Sequence, residues 1–142
     1  MGQVNLDLDQ AVNKYISANV ELFTKMELGN SYPPGNTLSY EVQPTGPAVR
    51  YYNGIRKRAF SFAITSKHTK SIVSLNTLNA IMDAMEDATH VSIKSGNGSF
   101  KFINAKTTES AHIIATAQDD ANKDSQQYFV YQGVFQVTVI LN

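Results

Sequence analysis

Two segments of the chain carry apolar residues at helical spacing, and the first lies near the amino terminus. It runs from Asp7 to about Glu27, and steps of three and four residues place its apolar side chains on one helix face. These side chains are Val12, Ile16, Val20, Leu22, Phe23 and Met26. Asp7 or Asp9 is expected to be the N-cap. Gly29-Asn30 is expected to end the helix, because both residues tolerate a left-handed backbone.

The second helix is predicted from about Ser71 to Glu86 or Ala88. Its apolar stripe consists of Ile72, Leu75, Leu78, Ile81, Met82 and Met85. Apolar residues at this spacing indicate a helix that packs one face on a core. The two methionines are expected to fill gaps in that core rather than to form a recognition surface.

Alternating polar and apolar residues predict strands in the first half of the chain. A short strand is expected at 38–42, and a β-hairpin at 49–52 and 58–66 around Asn53-Gly54, since Asn-Gly supplies the positive φ angles of a tight turn. The second arm places Phe60, Phe62 and Ile64 on one face and Ala59, Ser61, Ala63 and Thr65 on the other. The small residues of the second face favour close packing against another backbone or helix.

The second half of the chain also reads as β-structure, ending in its clearest strand. Weakly alternating strands are predicted at Val91–Lys94, Ser99–Asn104 and His112–Thr116, with a turn at Ser95–Gly98. The last strand, Tyr128–Leu141, places Phe129, Tyr131, Phe135, Val137, Val139 and Leu141 on one face. Gly133 interrupts that face and indicates a bulge or a close backbone approach. The polar run 119–125 is predicted to be a solvated loop.

The order of these elements predicts the fold class. Helix, strands, helix and strands give an α+β domain, with a mainly antiparallel sheet covered by two helices. We find no internal repeat and no linker, so residues 1–142 are expected to form one domain.

Composition narrows the possible functions. The chain lacks cysteine, which excludes disulfides, thiolate metal sites and cysteine nucleophiles, and no apolar run approaches the ~20 residues that span a bilayer. Its 12 basic and 12 acidic residues cancel, which argues against a duplex-binding protein. Residues 1–70 nevertheless carry eight basic and five acidic residues, a net charge of +3, and residues 71–142 carry four and seven, a net charge of −3. Such halves could pair head to tail between copies, or they could mix within one domain so that the asymmetry disappears.

No motif in the chain predicts a catalytic, cofactor or metal site, and we do not expect an enzyme. Gly96-Asn97-Gly98 precedes a strand rather than a helix, so it is a hairpin turn and not a phosphate loop. The three histidines lack metal-ligand spacing, and the acidic run near residue 120 lacks the central glycine and terminal glutamate of a calcium loop. A site for single-stranded nucleic acid would combine Tyr51, Tyr52, Phe60 and Phe62 with Arg56, Lys57 and Arg58. Alternation points Phe60 and Phe62 inward, which removes half of that platform.

Several runs of the sequence carry a resemblance to a known family. They are Leu38-Ser-Tyr-Glu-Val-Gln-Pro-Thr-Gly46, Ala48-Val-Arg-Tyr-Tyr-Asn-Gly54, Phe60-Ser-Phe-Ala-Ile64, the helix with Leu75, Leu78, Ile81 and Met85, and Tyr131-Gln-Gly-Val-Phe-Gln-Val137. Together they resemble the minor capsid protein family of long-tailed phages, which is similar to tail-terminator, or tail-completion, proteins. The resemblance covers most of the chain and is strongest from about Leu38 to Glu86. Residues 104–127, taken as a loop, match no part of the family.

The resemblance implies a structural virion protein without cofactor or turnover. It implies a hexameric ring at the head-proximal end of the tail, assembled in the host cytoplasm, that caps the tail tube and meets the head connector or stopper. The interface candidates are Arg56, Lys57, Arg58, Asp119, Asp120 and Asp124. The three basic residues would pair with a neighbour's acidic residues or line a lumen that DNA passes through; alternatively, they form a solvated hairpin tip. The alternative functions are a connector or stopper and, with less support, a single-stranded nucleic-acid-binding domain.

Overall fold

A computed structural model describes residues 7–28, 36–44, 49–50, 56–89, 92–118 and 127–141. The helices are α1 (Leu8–Asn19) and α2 (Ser71–Glu86). The strands are β1 (Met26–Leu28), β2 (Thr37–Pro44), β3 (Val49–Arg50), β4 (Arg56–His68), β5 (Phe100–Gln118) and β6 (Gln127–Leu141).

The strands form one open sheet in the order β1-β2-β4-β6-β5, and β3 pairs with β4 beside the end of β2. The β1–β2 pair is parallel and every other pair is antiparallel. Both helices pack against the sheet and share one hydrophobic core with it. The predicted α+β class, with a mainly antiparallel sheet and two helices, is confirmed.

The core lies between the helices and one face of the central strands. Phe62 of β4 and Phe135 of β6 stand opposite each other in the register, both fully buried, and their rings stack with centroids 5.2 Å apart. Phe60 and Ile64 are buried on the same face of β4, as the alternation predicts. Val12 and Ile16 of α1 belong to the same buried cluster.

Helix α1 is shorter than its apolar pattern predicts. It ends at Asn19, and Val20 already has an extended backbone (φ −125°, ψ 133°). The predicted stop at Gly29-Asn30 lies outside the described residues. Met26 is buried, but it is in β1 beside Leu38 of β2, so the later apolar positions reach the core as extended chain. The prediction of a helix to Glu27 was wrong, because Leu22 and Phe23 contact the core from irregular chain and Met26 from a short strand, so their burial does not require a helix.

Helix α2 has the predicted bounds but a different first turn. Its buried residues are Ser74, Thr77, Leu78, Ile81, Met82 and Met85. Ile72 is 63% exposed, so its predicted place in the stripe was wrong. Ser74 occupies the first inward position, where its hydroxyl donates a hydrogen bond of 2.8 Å to the Ser66 carbonyl. Because this inward position holds a polar residue, the pattern of apolar residues alone does not show which side of the helix faces the core.

Strand β5 is one long strand in a region where the sequence predicts short strands and a loop. Residues 100–118 form one strand, so residues 104–118 are not a loop. Its pairing with β6 shifts register four times, between Phe102/Asn104, Thr107/Glu109, Glu109/His112 and Ile113/Ala115. Each β-bulge reverses the alternation of exposed and buried residues, which explains the weak pattern. Of the strand predicted at 91–94, the described residues form one bridge, between Lys94 and Lys101, across the predicted turn.

Candidate interaction surfaces

The basic residues predicted as interface candidates lie at the start of β4, at one end of the sheet. Arg56 pairs with Leu141 of β6 in the register, and β3 places Arg50 opposite Arg56 on the other side. Arg56 and Arg58 are on the helix-bearing face together with Phe60, and Lys57 is on the other face, because strand residues alternate. Arg56 is exposed, and Lys57 and Arg58 are half-buried.

Arg58 is incompletely hydrogen-bonded by the part of the chain that the structure describes. Its Nε atom is buried and has no hydrogen-bond acceptor among the described residues. A buried donor without a partner costs about 1–3 kcal/mol, and more when the group is charged. The structure therefore places at the sheet end a guanidinium whose Nε has no acceptor among the described residues.

The predicted acidic candidates, Asp119, Asp120 and Asp124, lie outside the described residues. The described chain has another acidic cluster, which sequence reasoning did not select: Asp83, Glu86 and Asp87, all exposed, at the carboxyl end of α2. Spacings of three and four residues place them on one side of the helix. That spacing is the signal that the sequence offers for this cluster.

The acidic cluster is unfavourable for the isolated chain. The carboxyl end of a helix carries a partial negative charge, so carboxylates there are repelled and a basic residue is preferred. The last turn of α2 contains no basic residue. Neither this cluster nor the basic residues of β4 form an ion pair within 4.0 Å among the described residues.

The sheet face away from the helices carries small residues in the middle of β4, between Lys57 and the buried Lys67. Ala59, Ser61 and Ala63 of β4 are half-buried there. Across the register they adjoin Gln136, Val134 and Thr138 of β6, also half-buried. The predicted small face of the hairpin arm is thus observed, and no described helix covers it.

An open groove of about 310 Å³ lies between α1 and residues 92–94. It is lined by Ala11, Lys14, Tyr15, Ala18, Asn19, Ser92, Ile93 and Lys94. The Tyr15 hydroxyl donates a 2.9 Å hydrogen bond to the Ala84 carbonyl, so this ring holds α1 against α2. The groove is open to solvent, which distinguishes it from an enclosed ligand pocket.

Asp7 is a structural link rather than a side-chain cap. Asp7 is the N-cap residue of α1, one of the two predicted candidates, but its side chain makes no capping hydrogen bond. Its carboxylate instead accepts hydrogen bonds from the Ser95 hydroxyl (2.6 Å), the Gly96 N–H (2.7 Å) and the Ser99 hydroxyl (3.0 Å). Burial alone would raise the pKa of Asp7, but these hydrogen bonds outweigh it and lower the pKa below 3.8.

The described part of the chain contains no group of three His, Cys, Asp or Glu residues that could hold a metal ion. His68 is at the end of β4, where its Nδ1 accepts a hydrogen bond from the Lys70 N–H, and His112 is exposed on β5.

Phe60 and Phe62 are buried and cannot stack on bases, as predicted, whereas Tyr51 and Tyr52 lie outside the described residues. No described helix has both the length and the apolar character required to cross a bilayer.

No protein-family model matches the chain, and no curated protein sequence matches it significantly.

Proposed function

We propose that this protein is a structural virion subunit that forms a ring at the head-proximal end of the tail of a long-tailed phage. In this function it caps the tail tube and forms part of the head–tail joining interface. Its partners are copies of itself, expected as a hexamer, the tail tube protein and the head connector or stopper. DNA passes through the lumen of the ring without sequence-specific contact, and no cofactor or chemical step is required.

The observation that carries this proposal is that both helices pack on the same face of the sheet. Near the start of β4, the other face presents the half-buried small side chains of Ala59, Ser61 and Ala63, and no described helix covers them. The charged groups at the start of β4 and at the end of α2 form no ion pair with any described residue. A subunit that contacts several proteins at once needs such separate surfaces on a rigid scaffold, more than it needs one deep cleft.

The location of the resembling residues also supports the proposal. The runs that resemble the phage family fall on β2, β3, β4, α2 and β6. These elements include the centre of the sheet and the helix packed on it, so the resemblance concerns the scaffold. The long β5 strand lies outside those runs, and the proposal gives it no assigned role.

Deletion of the gene in its phage tests the proposal directly. We expect tail tubes of uncontrolled length, because nothing would cap the growing tube, and loss of head joining. Normal free tails beside unjoined heads would instead assign the protein to the connector or stopper function. Normal infectious particles would overturn both functions. Complementation with the intact gene is the control for effects on neighbouring genes.

Imaging of the purified protein tests the ring itself. Negative-stain micrographs should show closed rings, either free or bound to the ends of purified tail tubes. A persistent monomer that binds neither tubes nor connector would contradict the proposal. Binding to a single-stranded oligonucleotide in place of tubes would support the nucleic-acid-binding alternative.

A further inference from the structure

We propose that neighbouring copies join through the basic start of β4 in one copy and the acidic end of α2 in the next. The basic surface is the end of the sheet at the start of β4, with Arg56 and Arg58 on the helix-bearing face and Lys57 on the opposite face. The acidic surface consists of Asp83, Glu86 and Asp87. The inference rests on the proposed function because it assumes that copies of the chain assemble. It adds which two surfaces of neighbouring copies are in contact. The contact is heterologous, since each copy uses one surface on each side, and this arrangement produces a ring when the rotation closes.

The basic surface requires an anionic acceptor. The buried Nε of Arg58 has no acceptor among the described residues, and Arg56 beside it on the same sheet face is exposed. A guanidinium presents its N–H groups in a planar fork that matches the two oxygens of a carboxylate. A carboxylate from a second copy would bind the exposed Arg56 guanidinium and neutralise its charge. Nε of Arg58 is shielded from solvent, so it would meet such a carboxylate only if the Arg58 side chain turned outward on contact.

The acidic surface requires a cation for an independent reason. Asp83, Glu86 and Asp87 gather negative charge on one side of α2, at the helix end whose carbonyl groups are already partially negative. No basic residue of the last turn offsets that charge. Basic residues from a neighbour would remove both the mutual repulsion and the unfavourable interaction with the helix end.

A second copy fits these surfaces better than nucleic acid does. Each surface contributes three charges of opposite sign, and the whole chain is neutral with 12 basic and 12 acidic residues. Phosphates would satisfy the arginines but would be repelled by the end of α2. Neither surface forms an ion pair within 4.0 Å among the described residues, so both are available for contact between copies.

Charge reversal on the two surfaces gives a stringent test. The first variant carries Arg56→Glu, Lys57→Glu and Arg58→Glu; the second carries Asp83→Lys, Glu86→Lys and Asp87→Lys. Sedimentation and negative-stain imaging, with the protein free and on purified tail tubes, should show that each variant alone self-associates at least about tenfold more weakly than the wild type. Raising the salt concentration should weaken wild-type assembly in the same direction.

Two recombinations of these variants should restore assembly. A chain with all six changes has exchanged the two surfaces and should form rings alone. An equimolar mixture of the two triple variants should form rings in which they alternate, because each then meets opposite charge on both sides. A matched control reverses three exposed lysines elsewhere, with Lys25→Glu, Lys70→Glu and Lys106→Glu, and should assemble like the wild type. Circular dichroism melts establish that every variant is folded.

The outcomes separate this inference from the proposed function. If rings still form after each of the two charge reversals, the inference is overturned and the proposed function stands. The same conclusion follows if the six-change chain and the equimolar mixture both remain folded but dissociated. Intact rings that lose only DNA contact after reversal of the basic surface would assign that surface to phosphate instead. If both recombinations restore ring assembly but the deletion phage makes normal tails, the interface is supported and the proposed function is overturned.

Discussion

Strands β5 and β6 pair along their whole lengths, yet they differ in regularity. Strand β6 has 15 residues and alternates steadily between buried and half-buried positions from Phe135 to Val139. Strand β5 uses 19 residues to cover the same length, and the four extra residues correspond to its four register shifts. The outer part of β5 is exposed, including Ile113 at 49% and Ile114 at 45%.

The difference follows from what each strand touches. Strand β6 lies between β4 and β5 and beneath α2, so a slip of one residue would turn Phe135 and Val137 away from the core. Among the described residues, β5 pairs with β6 on one side and has only the Lys94–Lys101 bridge on the other. Bulges there cost little and interrupt the row of free backbone groups that would otherwise pair with a strand from another molecule. In this sheet, burial requires β6 to keep a regular register, whereas the edge strand β5 tolerates register shifts.

The largest expected effect comes from removing a central ring. Phe62→Ala should lower the free energy of unfolding by about 3–5 kcal/mol, because it empties a fully buried position stacked on Phe135. Urea denaturation measures the change. The matched control on the edge strand is Ile113→Ala, which should cost less than about 1 kcal/mol. Equal losses for the two variants would refute the distinction between centre and edge.

A smaller effect is expected where β6 meets α2. A Cβ at residue 133 would lie 3.1 Å from the sulfur of Met82, which is itself buried. Gly133→Ala should therefore destabilise the fold by about 1–2 kcal/mol through overpacking. Combining it with Met82→Ala should cost less than the sum of the two single changes, as a double-mutant cycle would show. Strict additivity would mean that Met82 is not the obstacle.

At the edge of the core, the link between Asp7 and residues 95–99 should depend on pH. Because the folded pKa of Asp7 is lowered below 3.8, its stabilisation is present at neutral pH and is lost as the pH falls through the folded pKa. Asp7→Asn should cost about 0.5–1 kcal/mol at pH 7, and the difference from the wild type should shrink under strongly acidic conditions.

The control for this prediction is Glu21→Gln, which removes an exposed carboxylate beyond the end of α1. It should change stability by less than about 0.5 kcal/mol at pH 7. Thermal melts of both variants across the pH range test the comparison. A pH-independent loss for Asp7→Asn would show that the hydrogen bonds do not require the charge.

The smallest effect on stability is expected from straightening β5. Deleting Ile114, the extra residue between Ile113 and Ala115, should change the free energy of unfolding by less than about 0.5 kcal/mol. The more regular edge should however increase concentration-dependent association, measured by light scattering. A deletion that leaves association unchanged would indicate that this bulge does not protect the edge.

The central fold could be predicted from sequence wherever one face is buried and the other is not. The alternation in β4 and β6 and the spacing in α2 produced nearly correct bounds for those elements. Prediction failed where burial does not follow a fixed period. Ile72 is exposed because Ser74 makes the inward contact, and β5 loses its period at each bulge.

The candidate surfaces were only partly predictable. Consecutive basic residues at 56–58 are visible in the sequence, but the missing acceptor of Arg58 depends on three-dimensional packing. The acidic cluster of α2 was visible as spacing and was overlooked, because its significance comes from the exposure of all three residues at the carboxyl end of the helix. Asp119, Asp120 and Asp124 remain predictions from the sequence.

The link made by Asp7 also determines when α1 can dock during synthesis. The hydroxyl that Asp7 binds belongs to Ser95, 88 residues further along the chain. At about 5–20 residues per second, the ribosome needs several seconds to make that distance. Helix α1 emerges early but completes its attachment only after α2 and the following turn have been made. The nascent amino-terminal segment therefore keeps an apolar helix face uncovered during that interval, when it is most open to chaperones or to premature association.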